Sequence, residues 1–276
     1  MILLIGAWNC WKSSFMKIYC VCMIAAFGLL LISCSNQENY EKIKRDFQNV
    51  QYTELDKSTI DSIFNSIDYS SISENINKLH KNFDKSLILP VLDEDFHANS
   101  KETVFRLGAY FADLGYIRHF ERVQLCSDYI DVVRNLLNKL AVSNYLFNEY
   151  VPRFEENLDN KAVLFELVDS LMSVGKSYFS DTEQYGFGVL LLSGFWLESS
   201  FVGFSNVDFD SNNLEYSKII NSHFEVLRQI NNLLQRFDDE ELISELKAKL
   251  LSFYNNKDDV EKNFNDIKKY REDLLK

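Results

Sequence analysis

Between Leu214 and Phe237 the apolar residues Tyr216, Ile220, Phe224, Leu227, Ile230, Leu234 and Phe237 recur at intervals of 4, 4, 3, 3, 4 and 3. That spacing lines one face of a helix with 3.6 residues per turn, and such a face must be buried against other elements. The same pattern recurs along most of the chain. Only two prolines, Pro90 and Pro152, occur among 276 residues, so little interrupts it. The expected fold is all-α: a multi-helix bundle or stacked helical hairpins of about eight antiparallel helices with short joins. A hairpin-repeat start is hinted at by Leu107-Gly108 with Phe111. The small residues such a repeat needs in its second helix are absent.

The first expected helix spans about Ser71 to Asp84, with Ile72, Ile76, Leu79 and Phe83 on one face. A loop from Leu87 to Asn99 follows, holding Pro90 and the acidic run Asp93-Glu94-Asp95. Asn99 or Ser100 then caps a helix to about His119. Next come a helix from Glu121 to Val142 and a shorter element from Ser143 that Pro152 kinks or ends. A helix from Lys161 to Phe179 follows. Asp181 is expected to cap the most apolar element, Thr182 to Val202, which should be central and the most buried. After the Leu214 helix, two more close the chain, one with Leu242, Leu246, Leu250 and Phe253, the other with Val260, Phe264, Ile267 and Leu274.

The amino-terminal region has a different logic. Lys17 precedes an apolar run of 15 residues, Ile18 to Ile32, followed by Ser33, Cys34 and the polar Ser35-Asn36-Gln37-Glu38. A membrane-spanning helix needs about 20 apolar residues, whereas the core of an export signal needs about 7 to 15. Leu31-Ile32-Ser33-Cys34 resembles a bacterial lipobox. The resemblance implies a diacylglyceryl thioether on Cys34 and an acyl group on its new amine, two signals that together anchor stably in a bilayer. Met1 to Phe15, with Trp8, Trp11 and Lys12, is awkward for such a signal, and a start at Met16 is the simpler expectation. The expected layout is a signal over 1–33, a polar tether over 34–57 and a helical domain over 58–276.

Lys12 and Lys17 are the only charged side chains before Cys34. The remainder therefore holds 27 basic and 41 acidic residues, a net charge of −14 against −12 for the whole chain. A surface of that sign repels nucleic-acid phosphates, so nucleic acid is not an expected partner. Removal of 1–33 also removes Cys10, Cys20 and Cys22. Cys126 is then left as a lone thiol beside the lipidated Cys34, which excludes an internal disulfide framework. Cys126 shares an apolar stripe with Tyr129, Val133 and Leu136 and reads as a small buried hydrophobe.

Two segments carry a family resemblance. They are Leu107-Gly108-Ala109-Tyr110-Phe111-Ala112-Asp113-Leu114-Gly115-Tyr116 and Gly194-Phe195-Trp196-Leu197-Glu198-Ser199-Ser200-Phe201. Together, behind a lipobox, they resemble a group of uncharacterised helical lipoproteins of Bacteroides-type bacteria. Members share a Gly-x-Tyr-x-Ala-Asp-Leu-x-Tyr helix and a Trp-x-Glu helix. The resemblance implies an all-α fold at the cell envelope and no particular activity.

Within those segments Asp113 and Glu198 are the two carboxylates of interest. Asp113 lies on the stripe Arg106, Tyr110, Asp113, Ile117. Glu198 is the only charge between Tyr185 and Asn206, and an unpaired buried carboxylate is costly. One reading is a carboxylate pair in a cleft, able to do acid–base work or hold a cation. The other is a structural salt bridge to Arg106 or Arg118, or hydrogen bonds to Tyr hydroxyls, with Glu198 buried against the Asn99–His119 helix. Asp208-Phe209-Asp210-Ser211-Asn212 begins like a calcium loop, but Asn213 and Ile219 fill the positions that require Gly and Glu. His80, His97, His119 and His223 show no zinc spacing, although Asp95 and His97 share a loop. The aromatics Phe187, Phe195, Trp196, Phe201 and Phe204 read as helical core or, less simply, as a sugar or lipid groove. No cofactor motif is present.

The functional expectation is a lipid-anchored, non-enzymatic binding or scaffolding module at the envelope, in the outer membrane, with the periplasmic and surface sides both open. Its partners are the bilayer through Cys34 and an envelope protein or glycan. The alternative is an envelope hydrolase or lyase that uses Asp113 and Glu198.

Overall fold

The computed structural model describes residues 54–92, 98–140, 142, 150, 152–154, 156–157, 160–205, 207, 213–237 and 241–275. All of them fall within the unit Phe47–Lys276. The expected signal, Cys34, nearly all of the tether, the Asp95–His97 pair, the Asp208 loop and most of the Ser143 element lie outside the described residues.

Among those residues the chain is all-α, with nine helices and no strand. They are α1 (Glu54–Ser66), α2 (Tyr69–Asn77), α3 (Ser100–His119), α4 (Val123–Lys139), α5 (Lys161–Asp181), α6 (Tyr185–Phe204), α7 (Leu214–Leu234), α8 (Glu241–Asn255) and α9 (Val260–Leu275), with a 3-10 turn at Lys85–Leu87. Side chains start several of them. Asp68 accepts from the amides of Ser70 and Ser71, and Asn213 from those of Glu215 and Tyr216. Asn99 and Glu102 cap α3 reciprocally, which satisfies two amides that the first turn leaves open.

The core is built on α6. Every one of its residues is buried, as expected of the most apolar element. It is also the one described helix long and apolar enough to cross a membrane, yet it lies wholly inside the domain. It packs closest against α3, where two glycines bring the backbones together. A Cβ on Gly108 would sit 2.0 Å from the Leu191 carbonyl oxygen, and one on Gly194 would sit 1.9 Å from that of Phe105. Further along, Asp113 meets Glu198. Gly108 faces the Phe195 amide, Asp113 faces Glu198, and His80 touches both Tyr116 and the Val202 carbonyl, so partners advance together and α3 and α6 run in the same direction. The expectation of purely antiparallel neighbours fails here, because α4 and α5 intervene in the chain and leave the two apolar stripes free to pack in parallel. Around this pair α4 covers α3, while α5, α7 and α9 cover α6.

The amino-terminal boundary also differs from expectation. Helix α1 begins at Glu54, inside the expected tether, and buries Ile60 and Phe64 completely. Phe64 fits the space left by Gly188. Lys176 of α5 donates to the carbonyls of Phe64 and Ile67, closing the end of α1. Helix α2 stops at Asn77 rather than continuing to Asp84. There the chain turns so that Phe83 stacks on Tyr116, and the Asp84 amide donates to the Tyr116 hydroxyl at 2.9 Å.

Asp181 ends α5 instead of capping α6. Glu183 adopts φ 57°, and the Gln184 amide returns to the Phe179 carbonyl at 2.8 Å. Glu121 repeats this left-handed turn between α3 and α4, with the Arg122 amide on Ile117 O at 3.1 Å. Cys126 is fully buried and free. Burial pushes its thiol up to about 12, away from the reactive thiolate. Phe187, Phe195, Trp196, Phe201 and Phe204 are all core residues and not the lining of an open groove.

Candidate functional site

Asp113 on α3 and Glu198 on α6 come together, and both are 0% exposed. Their carboxyls lie side by side, within hydrogen-bonding reach. The cation beside them comes from neither expected arginine. It is Arg271 of α9, whose Nε reaches Glu198 Oε2 at 2.7 Å and whose Nη2 reaches Oε1 at 2.6 Å. The Arg271 side chain is only 13% exposed, and its guanidinium also lies over the Phe201 ring, 4.1 Å from its centroid.

Arg106 instead donates to the carbonyls of Leu275 and Leu274, at 3.0 and 3.3 Å, and so caps the end of α9. Arg118 pairs with Asp169 of α5 at 2.6 Å. The expectation that either would neutralise Glu198 is therefore corrected. Arg106 is engaged one turn before Tyr110 and toward the helix end that α9 closes, while Arg118 faces α5. Glu198 was also expected to bond the Asn99–His119 helix through a Tyr, Arg or His. Its neighbour on that helix is Asp113.

The rest of the cluster explains what these groups hold. Asp113 Oδ2 accepts from the Leu89 amide at 2.9 Å. The Tyr129 hydroxyl of α4 donates to Leu89 O. The Tyr110 hydroxyl of α3 donates to Pro90 O at 2.6 Å. Arg271 adds a longer bond to Leu87 O, 3.4 Å. Four side chains from three helices thus bind the backbone from Leu87, the last residue of the 3-10 turn, through the non-helical Ile88 to Pro90, with Ile88 and Leu89 buried in the core. Buried loop backbone without a ladder partner needs such substitutes. Pro90 contributes no amide, so its acceptor is the group left to satisfy.

Electrostatics follow from this burial. Desolvation pushes Asp113 well above the usual carboxylate range, and the charge of Glu198 adds to it. Desolvation raises Glu198 too, against the pull of the Arg271 hydrogen bonds and charge. Two carboxyls facing one cation are neutral as a group when one holds a proton. Arg271 grips both Glu198 oxygens, so the ionised carboxylate is Glu198 and the protonated one is Asp113. Among the described residues no donor reaches Asp113 Oδ1, which a protonated carboxyl tolerates better than a carboxylate does. Burial, with the nearby Asp113 charge next, likewise raises the Tyr110 and Tyr129 hydroxyls far above their usual values, so both remain donors.

A second buried polar pair joins α6 to α7. His223 Nε2 lies 2.8 Å from Ser200 Oγ, and its ring stacks on Trp196 with centroids 5.3 Å apart. Trp196 Nε1 donates to the His223 carbonyl at 2.9 Å. Among the described residues no carboxylate orients the imidazole, and burial lowers its pKa to about 3. The pair joins two helices and lacks the third member of a nucleophilic triad. Among the described residues no group of three His, Cys, Asp or Glu could hold a metal.

Arg271, Tyr129 and the Ser200–His223 pair were not singled out from the sequence. Arg271 carries a usable signal. It completes the stripe Val260, Phe264, Ile267, Leu274 at the same 4, 3, 4, 3 spacing, and a cation on an apolar stripe needs a buried anion. The two segments that carry the family resemblance prove to be partners. Gly108 and Gly194 make the close crossing, and Tyr110, Asp113 and Glu198 supply most of the cluster. Comparison with known proteins adds nothing to this: no family model, no curated protein and no solved structure matches the chain.

Proposed function

We propose that this chain is a bacterial envelope lipoprotein, anchored through Cys34, whose helical domain is a non-enzymatic binding or scaffolding module. The anchor rests on the sequence from Met16 to Cys34, with its short apolar run and Leu31-Ile32-Ser33-Cys34. Kinship with the helical lipoproteins of Bacteroides-type bacteria belongs to the same proposal, as does a position at the outer membrane.

The observation that carries the non-enzymatic half is the complete burial of Asp113 and Glu198 and their commitment to Arg271 and the Leu89 amide. Acid–base catalysis needs a group that can reach a substrate atom, directly or through one water. Both carboxyls here are spent on holding the fold. The hydrolase or lyase alternative thus loses the residues on which it was built.

Metabolic labelling with an alkyne fatty acid tests the anchor. The wild-type protein should take up label and partition with membranes, and Cys34→Ala should do neither. Equal labelling of the two, or labelling of neither, contradicts the assignment. Affinity capture of the native lipidated protein from envelopes then tests the module, with a retained envelope protein or glycan as the expected result.

A further inference from the structure

We draw no further inference here: the strongest candidate, the half-open depression between α2 and α7 walled by Ile72, Ile76, Ile219 and Val226, carries none because nothing in the structure shows what covers it.

Discussion

Arg271 grips both oxygens of Glu198, at 2.6 and 2.7 Å, although 73 residues separate them in the chain. The closing helix is thereby locked to the central one through a buried two-point ion pair. Removing one member of such a pair leaves an uncompensated charge inside, which costs far more than the pair itself contributes.

Arg271→Met should therefore destabilise the domain by about 3–5 kcal/mol. Adding Glu198→Gln to it should recover a good part of that loss, because the orphaned charge is gone. Urea unfolding of the two single variants and the double variant measures this. Strictly additive losses would show that the pair does not act as a unit.

Asp113 has a folded-state pKa raised by burial and by Glu198. The proton-bearing form is thus favoured in the fold, and the native state holds a proton that the unfolded chain releases. Its contribution is fully present below the unfolded carboxyl pKa of about 3.9 and is lost as pH rises through the folded value. The slope is at most about 1.4 kcal/mol per pH unit. Asp113→Asn keeps an acceptor for the Leu89 amide and a donor for Glu198 without titrating. Its stability relative to wild type should rise between pH 4.5 and pH 7.5, as read from paired unfolding curves. A difference independent of pH would mean that Asp113 is ionised in the native state.

The parallel crossing of α3 and α6 depends on two residues without a Cβ. Gly194→Ala would push a methyl group against Phe105 backbone, which cannot rotate away. A loss of about 3 kcal/mol or more is expected, at the upper end of overpacking costs. At Gly175 the nearest obstacle is the edge of the Phe111 ring, at 2.9 Å, so Gly175→Ala should stay within about 1 kcal/mol of wild type. Thermal unfolding of both variants checks the contrast. Equal effects would place the helices farther apart than described.

These outcomes also mark where sequence reading reached and where it stopped. The stripes on α3, α4 and α7 were legible because burial follows periodicity, and α6 was legible as the most apolar run. Asp113 and Glu198 stood out as charges in apolar surroundings. Arg271 escaped because its helix is otherwise highly charged, which hides one cation on the buried stripe. Helix α1 escaped because Ser, Thr, Asp and Asn dilute its pattern; packing on Gly188 and capping by Lys176 hold it in place. The start of α6 was displaced because Glu183, with no glycine to announce it, occupies the left-handed turn. The grip on Leu87–Pro90 is tertiary throughout and leaves no local signature.

Amide hydrogen exchange at Leu89 tests the central claim, that Asp113, Tyr110, Tyr129 and Arg271 exist to hold that stretch of backbone. Leu89 lies outside any helix, yet its amide donates to a fully buried carboxyl. It should exchange as slowly as the core amides of α3 and α6. Asp113→Ala should speed its exchange by orders of magnitude, while helix amides distant from the cluster change only as far as global stability falls. Fast exchange at Leu89 in the wild-type protein, or unchanged protection in Asp113→Ala, would contradict the account.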